Sequence, residues 1–389
     1  MAERQTENVL VLQGGGSLGA FACGVFKALY EGGLRFDLIG GTSIGAVNAA
    51  VICGSDDPAK DLKDFWMELA ESTYRLFPEV SLPYYDYDRR AFDTKGMPAG
   101  PLNALMFGVP KMFVPRWQVP GGLQLEDWWA MPAGNWTHFY SHEPLVRMLE
   151  KYVDFSKLGK AGGGTRLIAT AVDVMTAKSL KFDSAEMEIK PKHILASCAY
   201  SSYGFPWVQV EPGVYAWDGG LLSNTPLKEL VEASPRNNKN VYIVENYPRK
   251  IDRLPADWGE VLDRTRDIMF SDKTVYDLRS WKHMSRQVDL IEKLYAIFER
   301  NSRDMNPGVA DRIRQEYEEL VGRHGAEILA VYRIVRNRME SPYLLKNADF
   351  TPDTVRDLIA QGEQRALEKL KGAADDMEPG ELLKLLDET

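Results

Sequence analysis

Over the first 246 positions, short apolar runs alternate with glycine turns and small-residue stretches. Residues 8–13 (NVLVLQ) are an apolar run stopped by three glycines, which predicts a buried strand. Residues 18–30 (LGAFACGVFKALY) predict a helix, with Gly24 as its weak point. Residues 36–40 predict a second short strand, and 44–52 a small-residue helix behind a GTSIG turn. Strand, glycine loop, helix, strand, turn, helix is the opening of an α/β sheet with parallel strands. The pattern resumes later. Strands are predicted at 166–174 (RLIATAVDV), 179–182, 214–217 and 240–246 (NVYIVEN), with helices at 192–199 and 226–233.

Two regions depart from this scheme. Residues 77–140 hold 13 of the 41 aromatic residues and eight prolines, too broken for regular strands and too apolar for a disordered linker. They form the centre of an aromatic, proline-rich insert at 60–140, read as a lid or as an irregular subdomain with its own aromatic core. Within it, 105–117 (LMFGVPKMFVPRW) is the most apolar and least charged part. After residue 250 the spacing becomes helical, at 258–279, 286–299 and 308–338. Thr351, Pro352 and Asp353 then supply an N-cap, a proline at the first helical position and an early acid for a helix over 352–370. The expected division is an α/β domain at 8–250 and a helical extension at 251–389.

Composition removes several classes. The 389 residues are 44% hydrophobic and 26% charged, as in ordinary globular chains. The net charge of -9 argues against nucleic-acid binding. No apolar run reaches the roughly 18 residues of a membrane span, and no signal-peptide core precedes residue 8, so a cytoplasmic protein is expected. Cys23, Cys53 and Cys198 show neither a disulfide framework nor metal spacing, and no metal or cofactor is expected.

Three motifs carry chemistry. Gly14-Gly15-Gly16-Ser17-Leu18-Gly19 lies between a strand and a helix. Gly14, Gly16 and Gly19 match a dinucleotide fingerprint with Asp37 as its acid, but Asp37 falls at the start of the second strand where a ribose-binding acid belongs at the end. Whatever the ligand, such a loop offers backbone N–H groups beside a helix N-terminus, which can hold a phosphate or a transient oxyanion. Gly41-Thr42-Ser43-Ile44-Gly45 is a G-x-S-x-G sequence in the strand–turn–helix context of a nucleophile elbow. A serine needs a base. Of His138, His142, His193, His283 and His324, none stands in an evident motif, and His193 reads better as a packed or capping residue. The third motif, Asp218-Gly219-Gly220, ends a strand; it is either a plain Asp-Gly turn or a carboxylate placed where parallel sheets form active sites.

GGGSLG, GTSIG and DGG in this order resemble the patatin-like phospholipases. Ala196-Ser197-Cys198-Ala199, Gly204-Phe205-Pro206 and Ser223-Asn224-Thr225-Pro226 extend the likeness around the aspartate. The resemblance covers about residues 8–246, and the tail resembles the helical extension of a bacterial subgroup. It implies a three-layer α/β sheet of mainly parallel strands, followed here by a helical region. It also implies Ser43 as nucleophile and Asp218 as general base without histidine. Gly15 and Gly16 then supply the oxyanion hole, with Gly14 or Ser17 as a further donor, while Gly19, Gly41, Gly45, Gly219 and Gly220 support the motifs. The implied partner is a lipid or other carboxylic ester, with peripheral contact at a membrane surface. The alternatives are a carboxylesterase for shorter or polymeric hydroxy-esters, and a weakly active lipid-binding or protein-interaction module. Two departures bear on specificity. Leu18 precedes Gly19 where relatives carry a nearby basic residue, and Tyr200-Ser201-Ser202-Tyr203 replaces an apolar, proline-containing turn.

Overall fold

The computed structural model describes residues 5–76, 80–86, 91–97, 99–118, 136–159, 164–235, 237–251, 253–255, 258–271, 274–302, 305–324, 328–336 and 346–372. The first half runs β1 (Thr6–Leu12), α1 (Gly19–Glu31), β2 (Leu38–Thr42), α2 (Ile44–Gly54), α3 (Pro58–Glu71), β3 (Val80–Asp86), β4 (Ala91–Met97), α4 (Ala99–Phe107), β5 (Val114–Pro115), β6 (Tyr140–Ser141) and α5 (Glu143–Tyr152). The second half runs β7 (Arg166–Asp173), β8 (Ser179–Asp183), α6 (Pro191–Ser197), β9 (Val208–Glu211), β10 (Val214–Asp218), α7 (Leu227–Val231), β11 (Asn238–Glu245), α8 (Trp258–Phe270), α9 (Thr274–Asn301), α10 (Pro307–His324), β12 (Ile328–Val335) and α11 (Pro352–Gly372).

The main sheet has eight strands in the order β12-β11-β1-β2-β7-β10-β9, with β8 also on β7. From β12 to β7 every pairing is parallel, and β8, β9 and β10 are antiparallel additions. Side chains of β1 alternate between two cores, as a strand covered on both faces requires. Leu10 and Leu12 enter the larger core with residues of α1, α2, α3 and α11, while Val9 and Val11 enter the smaller one with Leu227, Leu230, Leu278 and Trp281. Helix, sheet, helix: the three-layer α/β architecture is the one expected.

Two segment readings change. Residues 308–338 are not one helix. α10 ends at His324 and β12 follows, parallel to β11 and tied to it by Arg333 Nη2 to Glu245 Oε2 at 2.6 Å. The run ILAVYRIV is rich in β-branched residues, and a short apolar run does not separate strand from buried helix by period alone. The sheet therefore extends beyond residue 246 and takes its last strand from the tail. Nor is the insert without strands: β3 and β4 pair antiparallel from Val80↔Met97 to Asp86↔Ala91. In a two-stranded hairpin each strand is an edge, where Pro83 is tolerated. Residues 119–135, the centre of the expected lid, lie outside the described residues.

The tail's last described helix also packs on the catalytic half. A Cβ on Gly24 of α1 would overlap the Ile359 carbonyl oxygen of α11, and one on Gly362 would overlap the Phe21 carbonyl oxygen. Lys27 and Glu363 pair across the crossing at 2.9 Å. Gly24 thus serves contact between helices, which outweighs its poor propensity within α1. Replacing Gly24 with Val is expected to destabilise the protein by about 1–3 kcal/mol through overpacking, read as a lower urea midpoint. An unchanged midpoint would show that the two backbones do not meet there.

Candidate active site

Ser43 joins β2 to α2 and sits at φ 56°, ψ -129°, a backbone conformation that costs a non-glycine residue roughly 1–3 kcal/mol. Its neighbours make the turn possible. A Cβ on Gly41 would overlap the Gly45 backbone, and one on Gly45 would overlap the Leu12 carbonyl. The elbow is pinned from two sides: the Ser43 N–H donates to Ser197 Oγ at 2.9 Å, and the Thr42 and Thr170 hydroxyls lie 2.7 Å apart. Ser197 belongs to α6, more than 150 positions away, and its hydroxyl is fully buried. Its supporting role could not be read from the chain.

Asp218 arrives by a route the sequence did not suggest. β10 is antiparallel to β7, so the acid does not end a parallel strand. β8 and β2 both pair with 168–170 of β7 and therefore flank it on opposite edges. β8 and β10 share 171–172, which places β10 on the β2 edge. There β2 stops with Thr42 opposite Thr170, and β10 stops with Asp218 opposite Ala171. The two strands meet head to head on one edge of β7, and their next residues form the elbow and the DGG turn.

Asp218 is 1% exposed. Burial pushes its pKa up to about 7, against hydrogen bonds from the Ser43 side chain and the Gly220 N–H that favour the charged form. Gly220 N donates to Asp218 Oδ1 at 2.7 Å, and Gly219 begins the same turn.

In the glycine loop, Gly15 (φ 154°) and Gly16 (φ 58°) take conformations that L side chains rarely adopt. Both line the cavity with Ser43 and Asp218, and neither N–H has a hydrogen-bond partner among the described residues. Two neighbouring loop residues are tied to other parts of the chain. The Gly14 N–H donates to the Asn224 carbonyl at 3.1 Å, and the Ser17 hydroxyl to the Lys346 carbonyl at 3.1 Å. Gly14 is a spacer, since a Cβ there would overlap Asn224 Oδ1 and lie 3.1 Å from Ser43 Cβ. Gly19 starts α1 beneath the loop, where a Cβ would come 2.7 Å from Ile44. A network missed in the sequence carries the loop: Asn246 Nδ2 donates to the Gln13 and Gly14 carbonyls at 3.0 and 3.1 Å, and its N–H donates to Gln13 Oε1 at 2.7 Å.

A cavity of about 440 Å³ opens over these groups. Leu105, Met112 and Phe113 of the insert line it, as do Tyr200, Ser201, Ser202 and Tyr203 and the tail residues Asn347 and Phe350. The other sequence candidates fall elsewhere. Asp37 accepts the Asn8 N–H at 2.8 Å at the start of β2, a strand-end clamp and not a ribose site. His193 accepts the Lys190 N–H at 3.0 Å, stacks on Phe182, and is held neutral at a pKa of about 4 by burial and then by Lys192 and Lys190. It is the capping residue expected. His142, also pushed down to about 4 by burial and then by His138, lines the cavity instead. No group of three His, Cys, Asp or Glu that could hold a metal ion occurs among the described residues.

A three-layer, mostly parallel sheet with a strained serine turn, a buried carboxyl on the same strand edge and a glycine turn defines the class as α/β. The chain belongs to the patatin-like phospholipase family, whose model matches residues 10–231. It is 38% identical over 98 residues to "Lysophospholipase nte1" of Aspergillus terreus (strain NIH 2624 / FGSC A1156), covering 22% of this chain and 6% of that protein. It is 35% identical over 77 residues to "Neuropathy target esterase sws" of Drosophila persimilis, covering 17% of this chain and 5% of that protein. The aligned stretches thus span only about a twentieth of those relatives. A crystal structure of VipD from Legionella pneumophila aligns over 94% of this chain and 67% of that one, with 13% identity and a TM-score of 0.38.

A carboxyl with a folded pKa near 7 and an unfolded one near 3.9 favours the folded state below about pH 4, and that contribution is lost as pH rises through 7. Asp218→Asn is therefore expected to raise stability at pH 8 by up to roughly 4 kcal/mol and to leave it unchanged at pH 4. Denaturant unfolding at the two pH values measures this; equal effects at both would mean that Asp218 is not held at a raised pKa.

Proposed function

We propose that this protein hydrolyses lipid carboxylic esters through Ser43 as nucleophile and Asp218 as general base. The observation that carries the reading is the buried Asp218 carboxyl beside the strained Ser43, with its proton affinity raised to about 7. A carboxylate of ordinary basicity is a poor acceptor for a serine proton, and one raised to near the working pH is a better one. In the reaction Asp218 takes the Ser43 proton as Oγ attacks the ester carbonyl. The Gly15 and Gly16 amides receive the negative charge developing on the carbonyl oxygen. Asp218 returns the proton to the departing alcohol, leaving an acyl-enzyme. Water, deprotonated by the same carboxylate, then attacks the acyl carbonyl; the Oγ–acyl bond breaks, the acid leaves, and Asp218 returns the proton to Ser43 Oγ.

A fluorophosphonate probe is expected to label the wild type and not Ser43→Ala. The profile of kcat/KM against pH is expected to rise through about 7 as Asp218 ionises, because only its charged form accepts the proton. A rate flat from pH 5 to 9 would count against Asp218 as the base.

The cavity supports a lipid substrate and, at one wall, a second reading. Leu105 and Phe139 line it yet stay 46% and 54% exposed, an apolar rim suited to a lipid surface. Leu105→Asp with Phe139→Asp is expected to cut hydrolysis of phospholipid vesicles about tenfold or more while sparing a short soluble ester. Equal loss on both substrates would remove interfacial docking. Tyr200, Ser201, Ser202 and Tyr203 make one wall polar, which favours shorter or hydroxylated acyl groups. A panel of p-nitrophenyl esters of graded length, phospholipids and lysophospholipids separates the two readings.

A further inference from the structure

The glycine turn is braced by residues 346–350, a short strap beyond the 10–231 region that matches the family. Ser17 Oγ donates to the Lys346 carbonyl, and the Asn347 carbonyl oxygen occupies the position a Cβ on Gly16 would need. The strap then turns past the cavity, where Phe350 stacks on Trp66 at 6.4 Å.

Its anchor is a buried charge cluster. Lys346 is 4% exposed, with Nζ 2.8 Å from Asp263 Oδ2 and 2.7 Å from Asp267 Oδ1, both on α8. Arg266, on the same helix, lies 3.9 Å from Asp263 Oδ1 and donates to Asn347 Oδ1 at 3.1 Å. Three charges kept from water are costly unless paired, and removing the lysine would take the cation from Asp267 and leave Asp263 with Arg266 at 3.9 Å. Such a cluster permits one seating of the strap, whereas an exposed pair would permit many.

We infer that Lys346 is a positioning residue: its ion pairs with Asp263 and Asp267 hold the strap against Gly16 and Ser17 and thereby fix where the Gly15 and Gly16 amides point. This rests on the proposed role of those amides toward the ester oxygen. Donors of that kind act mainly when charge develops on the oxygen, so loosening them lowers kcat more than it changes KM. Misplacement by about 1 Å from a distant change can cost on the order of 100-fold in rate.

The test uses the full chain and p-nitrophenyl butyrate, with fluorophosphonate labelling in parallel. Lys346→Met is expected to lower kcat about 10- to 100-fold and to slow labelling by a similar factor, with KM changed less than about threefold. Ser17→Ala, which removes one hydroxyl and leaves the charges paired, is expected to show the same split at about three- to tenfold. Both variants folded, with wild-type kcat and labelling, would overturn the inference while leaving the Ser43 chemistry intact. A wild type that is not labelled would overturn that chemistry and this inference with it. Should Lys346→Met fail to fold, Ser17→Ala decides: the kcat-selective loss supports the positioning role, and unchanged kcat overturns it.

Discussion

Most of what surrounds the site follows from one edge of β7. β2 runs along that edge to Thr42, β10 comes the other way to Asp218, and the two ends stop opposite adjacent residues, Thr170 and Ala171. Hydrogen-bonded register therefore sets the approach of serine and carboxylate, with precision no loop could supply. β8, on the opposite edge, shields β7 and stiffens it. The elbow strain at Ser43 is tolerable because the backbone around it has no alternative: Gly41 and Gly45 interlock, Ser197 takes the serine N–H, and the paired threonine hydroxyls close the strand end.

Burial sets the electrostatics of that meeting. Asp218 lies where water cannot stabilise its charge, and hydrogen bonds from Ser43 and Gly220 offset that burial in part. Among the described residues no cation pairs with it, unlike Asp183, which Arg166 contacts at 2.6 Å. The same desolvation that makes the carboxyl costly to ionise makes it basic enough for the role proposed here, so the site trades stability for reactivity at a single residue. The histidines illustrate the opposite outcome. His193 is held neutral and engaged in capping α6, and His142 is held neutral in the cavity wall.

The tail is built into the same structure. β12 adds the outermost parallel strand, α11 crosses α1 so closely that both helices need glycine, and 346–350 lies on the glycine turn. Arg336, just after β12, donates to the Asn246 carbonyl at 2.9 Å, and Asn246 in turn holds the loop backbone. Each connection joins residues some 90 to more than 300 positions apart. Spacing along the chain carries no trace of such pairs.

The sequence by itself determined the early α/β order, the strand–turn–helix around Ser43, the glycine-rich turn before α1 and the acid at the end of β10, because each rests on local rules: period, turn chemistry and the absence of a Cβ. It also exposed the choice of glycine without its reason, as at Gly24. Tertiary structure decided the direction of β10, the strand state of ILAVYRIV, which loop amides are left free and which are spent, and the tail's place in the cavity wall. These depend on what each segment meets. A short apolar run becomes a strand when a sheet edge is available to it, and an N–H faces the cavity only when no carbonyl reaches it first.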